Sequence, residues 1–402
     1  MRWCKIIVWL VILLITIPAE LLRAAPGDAD PSLFADSLEN AYLCTFSLTQ
    51  RHPERCPTFS PGARTVHIEY LRAKLPDPLP ELPVEELEKP EGAISNYTFA
   101  YVNHLPAPSY AHPLEAEQGL PPQRIFYDGS NWVSILGRVE YNGEVWYQIN
   151  ADEFVRTEHI AIVGPSRFQG VKLQATPEYP FAWVLNTAQT SSLPGGPAEG
   201  RTYYRYERVT LFAQDRQGEE LWYLIGPDQW LEQRNVARVD VHPRPEGVQP
   251  GDKWIEINTF EQTLAAYDGD QIVYATLVSS GRPGETWTPD GLTRIWGKII
   301  STPMTNPDDP PEAPEWYYLE DVEWTQYFFE AYALHAAYWH DSFGFTRSHG
   351  CVNLTPLDSQ WLFNWTTPQV VEGTAPGSYT YLREAGAGTW VWIHKTSPLA
   401  EE

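Results

Sequence analysis

Ser348-His349-Gly350-Cys351-Val352-Asn353 is the stretch on which the reading of this chain turns. It carries the only cysteine after Cys56, and Cys351 stands sixteen residues beyond His335 in Leu334-His335-Ala336-Ala337-Tyr338-Trp339-His340. A thiol beside an imidazole makes a nucleophile. The ring takes the thiol proton, and the ion pair lowers the cysteine pKa well below its free value of about 8.5. Gly350 lets the backbone come close to a substrate and aim amide N–H groups at a developing oxyanion. A lone cysteine in a β-rich domain is equally a small core hydrophobe. The Gly350-Cys351 pair alone leaves both readings open.

The wider pattern resembles the L,D-transpeptidase (YkuD-type) catalytic domain. That family has a His, a gap of a dozen or more residues, then Ser/Thr-His-Gly-Cys, an apolar residue and Asn or Arg. His335 and Ser348–Asn353 follow that order. His340 and Gly344 in Trp339-His340-Asp341-Ser342-Phe343-Gly344 fall where the family often has Trp-His and Phe-Gly. Upstream, Ser279-Ser280-Gly281 and Thr288-Pro289-Asp290-Gly291 resemble its strand end and Thr-Pro-x-Gly turn. The resemblance covers about residues 252–372.

The resemblance implies a β-sandwich with short helices and a defined chemistry. Cys351 would attack the carbonyl of an L,D peptide bond in a peptidoglycan stem peptide. His335 would activate the thiol and then protonate the departing D-alanine. The backbone carbonyl of Ala336 would orient the ring; the family commonly has Ser or Gly at that position. The backbone amides of Gly350, Cys351 and His349 would form the oxyanion hole. An amine acceptor would give a 3→3 cross-link, water would make the enzyme a carboxypeptidase, and a protein amine would attach that protein to the wall. Carbapenem β-lactams would acylate the cysteine. Ser348, Asn353, His340, Tyr338 and Tyr327 are the expected cleft residues. His349 reads more as a hydrogen-bonding strut than a proton carrier, and Asn353 more as a loop-fixing residue. Arg347 suits a substrate carboxylate and a solvated surface charge equally. The Pro- and acid-rich stretch 301–331 is expected to supply a lid over the cleft.

Composition narrows the alternatives. The 402 residues suffice for two or three domains. With 28 basic and 52 acidic residues, the chain argues against a nucleic-acid partner. The histidines outside the motif are scattered, and no HxxxH or CxxC spacing occurs, so no metal and no cofactor is expected. Arg2 and Lys5 precede the apolar run Ile6–Ala19, with Ala24-Ala25-Pro26 beyond it. Residues 1–25 read as a secretory signal peptide or, if uncleaved, an N-terminal membrane anchor. Either places the protein outside the cytoplasm, associated with the cell wall. Cys44 and Cys56 would then face an oxidising space and could pair, leaving Cys351 a free thiol.

The expected organisation is mainly β. Residues 26–90 read as a partly helical segment, with a helix over 32–43, and a Pro-rich linker at Leu75–Pro83. Two duplicated units follow, 91–168 and 169–245. Trp146 and Trp222, Phe154 and Trp230, Ile160 and Val236, and Val163 and Val239 are each 76 residues apart. Their hairpins are expected at Tyr141-Asn142-Gly143 and Asp215–Gly218. The units resemble bacterial SH3-like barrels, as spacers or as wall-binding modules. A non-catalytic wall-binding protein built on them is the alternative to an enzyme. Residues 252–385 form the expected catalytic domain and 386–402 a C-terminal tail. Thr355-Pro356-Leu357-Asp358 reads as a helix start.

Overall fold

The computed structural model describes residues 61–396, apart from 86, 89, 218–219, 285, 307–308, 314–315 and 382–385. The expected leader, the helix over 32–43 and the Cys44–Cys56 pair lie outside the described residues. The fold is mainly β. Among the described residues, no helix is long and apolar enough to cross a membrane.

The duplication in the sequence has a structural counterpart. In the first unit, Thr98–Val102 pairs with Ser130–Ile135 and Ile160–Val163. A second sheet runs, in spatial order, Arg124–Phe126, Ala107–Tyr110, Glu153–Arg156, Glu144–Asn150 and Gly137–Tyr141. The second unit repeats this order. Phe181–Val184 lies between Arg208–Thr210 and Val236–Val239, beside a sheet of Ala198–Tyr203, Ala188–Ser191, Gln229–Glu232, Glu220–Gly226 and Ala213–Gln217. Even the register repeats: Trp146 faces Arg156, and Trp222 faces Glu232. Asn142 and Gly143 take φ of 49° and 84°, the left-handed pair that a tight two-residue hairpin requires. In the second unit Asp215, Arg216 and Gln217, expected in the turn, are strand residues paired with Trp222, Leu221 and Glu220.

The C-terminal domain stacks two sheets. One runs in the order Val84–Glu85, Val171–Leu173, Gln271–Leu277, Thr263–Asp268, Lys253–Asn258, Trp390–His394 and Gly291–Arg294. Residues 390–394, expected in a tail, are thus an inner strand, paired in parallel with Lys253–Asn258. Their alternation of Trp390, Trp392 and His394 with Val391 and Ile393 suits a strand packed on both faces. The second sheet places Val352–Leu354 beside Tyr332–Ala336, which pairs with the long strand Tyr317–Phe329. Ile255, Ile257, Leu264 and Tyr274 meet Phe328, Leu334, Val352 and Leu354 between the sheets. On its other face the first sheet packs Trp254, Tyr267, Ala275 and Leu277 against Phe181, Trp183 and Val239 of the second unit. Burial on both faces explains why Ile272–Val278 reads as a nearly continuous apolar run.

The stretch 301–331 is chiefly a β-hairpin. Gly297–Thr305 pairs with Tyr317–Phe329 in antiparallel. Pro307, Pro310, Pro311 and Pro314 fall between the two arms, whereas the Tyr317–Phe329 arm carries the β-favouring aromatics.

One buried carboxylate ties three parts of the chain together. Thr355 caps the helix Pro356–Trp365 by accepting from the Asp358 amide. The Asp358 side chain accepts from the Gly170 amide at 2.8 Å, from the Tyr274 hydroxyl at 2.7 Å, and from Thr276. Removing it leaves three buried donors without a partner. Asp358→Ala should therefore destabilise the protein by about 3 kcal/mol. Urea unfolding of the variant against the parent chain measures this.

Candidate active site

His335 and Cys351 come together through strand register. Tyr332–Ala336 and Val352–Leu354 run in parallel, with Leu334 beside Val352 and His335 beside Asn353. Cys351 immediately precedes the second strand and receives a backbone hydrogen bond from Ala333. Cys351 and His335 both line one cavity of about 310 Å³. A wider cleft of about 940 Å³ lies elsewhere, between the Pro-rich linker and the second unit. Neither Cys351 nor His335 borders that larger cleft, so its size does not make it the reactive site.

The His335 ring is held in one orientation. Its Nδ1 lies 3.0 Å from the carbonyl oxygen of Ala336. A carbonyl only accepts, so Nδ1 carries the proton and the neutral ring keeps its lone pair on Nε2. A backbone carbonyl serves here, so the Ala side chain at 336 has no bearing on the contact.

The electrostatics differ from the expected ion pair. Burial pushes the Cys351 thiol up to about 11, against the smaller downward effect of the Ala333 hydrogen bond. Burial pushes the His335 imidazolium down to about 4. Both shifts disfavour charge, so burial favours a neutral thiol and a neutral imidazole over the expected ion pair at rest.

The loop before Cys351 is built from hydrogen bonds to the segment 279–288. Ser279 and Gly281 bridge Asn353 and Ser348. Thr288 donates to the Gly350 carbonyl at 2.9 Å and accepts from the Gly281 amide at 2.8 Å. A Cβ on Gly281 would lie 1.9 Å from the Thr286 carbonyl, so only glycine fits there. Gly350 has φ of +115°, and a Cβ on it would meet the Tyr332 ring at 2.3 Å. The Gly350 amide donates to Ser348 Oγ at 3.0 Å. That contact removes it from the expected oxyanion donors in this state, while Ser348 Oγ in turn donates to the Cys351 carbonyl.

The other expected residues divide. Ser348, Asn353, His340, His349 and Arg347 border the cavity. His340 Nδ1 accepts from the Ser342 amide, and the Asn353 amide group lies 3.1 Å from Nε2. Burial, then Arg347 and His335, push the His340 ring down to about 4. His349 Nε2 accepts from Arg282 at 3.2 Å, and its ring stacks on Tyr317 at 5.1 Å. These contacts give His349 the geometry of a strut. Tyr338 is corrected: it is buried, stacks on Phe99 at 3.6 Å and donates to the Glu320 carbonyl at 2.7 Å. Tyr327 is also absent from the cavity lining, because its ring stacks on Trp296 at 5.3 Å. Burial, then Tyr379, then Cys351 raise its phenol, so it is a neighbour of the thiol and not a wall of the cleft.

Several lining residues were not anticipated: Arg282, Met304, Tyr317, Leu319, Ser130 and Trp132. The last two belong to the first unit, more than 200 residues before Cys351, and no local motif marks them. The histidines outside the motif are likewise less scattered than they read. His242 and His394 meet the carboxylate of Glu256 at 2.6 and 2.8 Å. Tyr267 donates to the other oxygen at 3.0 Å. The grouping joins the linker at 242 to the first and last strands of the domain. Each Glu256 oxygen already has a partner, which makes the trio a charge clamp at that junction.

Residues 252–394 match the family model described as the YkuD L,D-transpeptidase catalytic domain. A crystal structure of an Enterococcus faecium L,D-transpeptidase mutant is 21% identical, covering 36% of this chain and 50% of that one, with a TM-score of 0.27. An L,D-transpeptidase from Mycobacterium smegmatis is 15% identical over 56% of this chain and 100% of that one, with a TM-score of 0.30. The E. faecium catalytic domain acylated by ertapenem is 22% identical over 37% and 100%, with a TM-score of 0.27. This chain therefore spans half the length of the first of these structures. No curated protein matches it.

The neutral resting pair has a measurable consequence. Alkylation of Cys351 by iodoacetamide should be slow at pH 7 and climb through the alkaline range toward the raised thiol pKa of about 11. A rate already at its plateau by pH 7 would show a thiolate instead.

Proposed function

We propose that this chain, whose residues 252–394 are a YkuD-type L,D-transpeptidase catalytic domain, is an acyltransferase with Cys351 as its nucleophile. The observation that carries this reading is the convergence of Cys351 and a carbonyl-oriented His335 on one cavity. The substrate is a peptidoglycan stem tetrapeptide ending in D-alanine. His335 Nε2 takes the thiol proton as Sγ attacks the carbonyl carbon of the L,D bond. Because the pair rests neutral, proton transfer and attack are coupled, and the charge arises only along the reaction path.

The new C–S bond leaves an oxyanion, and the Cys351 backbone amide is the donor best placed in sequence to meet it. Collapse breaks the C–N bond. The imidazolium returns its proton to the departing amine, D-alanine leaves, and a thioester remains on Cys351. The side-chain amine of a diamino acid on a second stem then attacks the thioester. An amide forms, Sγ departs, and the acceptor's proton restores the thiol through His335. Transfer to that amine gives a 3→3 cross-link; water in its place gives carboxypeptidase activity. Such chemistry belongs at the cell wall, with the chain exported by its N-terminal segment.

The same reading makes Cys351 the acylation site of carbapenems. Incubation with ertapenem should add one adduct to the intact mass, and Cys351→Ala should abolish it. His335→Gln should slow acylation by about 10²–10⁴-fold through loss of the general base. An adduct that persists in Cys351→Ala would remove the nucleophile from this account.

A further inference from the structure

The cavity is not made by the catalytic domain alone. Ser130 and Trp132 of the first unit border it together with Tyr317, Leu319 and Met304 of the hairpin. Their positions follow from strand geometry. Ser130–Ile135 pairs in parallel with Tyr317–Leu319, with Ser130 beside Tyr317 and Trp132 beside Leu319. Leu319 is in turn beside Met304 on the hairpin's other arm. Residues two apart on a strand share a face. Ser130 with Trp132, and Tyr317 with Leu319, are therefore one continuous sheet face. Trp132, Leu319 and Met304 form a row across three strands, from the first unit into the hairpin.

This wall is fixed. The Glu320 side chain accepts from the Ser134 amide at 2.9 Å and from Asn150 at 3.2 Å. Arg124 grips Glu153 through two bonds of 2.9 Å. The Trp132 indole lies 4.8 Å from the Tyr101 ring and 6.3 Å from Tyr338, nearly perpendicular to the latter. Polar and charged groups complete the cavity lining. Arg282, Arg347, His340 and His349 border it, beside Cys351. The cleft thus combines an aromatic and aliphatic strip with the guanidinium groups of Arg282 and Arg347. A ligand that suits this lining is a short peptide bearing both free carboxylates and apolar surface.

We infer that the first β unit is part of the donor-peptide site, with Trp132 as a binding residue that packs on the stem peptide while its carboxylates face Arg282 and Arg347. The inference rests on the acyltransferase reading above and extends the substrate wall beyond residues 252–394. On this view the unit is neither a spacer nor a separate wall-binding module. It is a structural component of the cleft. Half-buried aromatics of this kind commonly dominate a binding interface once a ligand covers them.

The test uses the full chain carrying Cys351→Ala, so that the ligand is not turned over. Calorimetry with a synthetic stem tetrapeptide ending in D-alanine gives the dissociation constant. Adding Trp132→Ala should weaken binding by about tenfold or more, and Trp132→Phe should recover most of it. Ser130→Glu, at an exposed position, should weaken binding too, since it sets a carboxylate against those of the ligand. Glu144→Gln, on the far hairpin of the same unit, should change nothing. Near-ultraviolet circular dichroism of each variant reports its folding. Unchanged affinity in folded Trp132→Ala or in Ser130→Glu overturns the inference. Parent chain acylated by ertapenem, with no tetrapeptide binding to the Cys351→Ala chain, overturns it while leaving the acyltransferase reading in place. Absence of both acylation and binding overturns the two together.

Discussion

The parallel register between Tyr332–Ala336 and Val352–Leu354 is the constraint on which the site depends. It sets His335 beside Asn353 and brings Cys351 to the mouth of the adjoining strand. A slip of one residue would turn every side chain of that strand to the opposite face. The imidazole would then point away from the thiol. What prevents the slip is the apolar set Leu334, Val352 and Leu354, buried completely between the two sheets. Packing that has no chemical role of its own thus decides where the chemistry can occur.

The same economy governs the residues around the pair. Gly281 and Gly350 are glycines because neighbouring atoms occupy the space of a side chain, not because the loop needs freedom to move. Ser348 draws the Gly350 amide and the Cys351 carbonyl inward. The desolvation that shapes the site also keeps thiol and imidazole neutral. Such a pair is quiet toward solvent and becomes reactive when a carbonyl carbon is at hand to take the sulfur's electrons. The hairpin above it is held by Glu320 to the first unit, so the cleft is walled by elements far apart in the chain.

Part of this was legible in the sequence. The order His335, Ser348, His349, Gly350 and Cys351 carries the chemistry locally, and the Ala336 contact follows from a backbone atom that every residue supplies. The 76-residue offset of Trp146 and Trp222 foretells matched hairpins, because register and aromatic spacing are the same information read twice. Other parts were not legible. Tyr338 looks like a cleft residue beside His335, yet its ring packs on Phe99 of a unit that no local pattern connects to it. Trp132 reads as an ordinary strand aromatic until the parallel pairing with the hairpin places it at the cavity. The upward pull of burial on the thiol is not legible either, because motif spacing conveys proximity but not desolvation. Residues 390–394 look like a tail because a parallel partner 136 residues away leaves no turn signal in the sequence.

The most direct measurement is the intact mass of the full chain, mixed with stem tetrapeptide and quenched in acid. The account predicts that Cys351 gains the tetrapeptide less its terminal D-alanine, with one equivalent of D-alanine freed. An unmodified chain, with D-alanine still attached to the peptide, would contradict it.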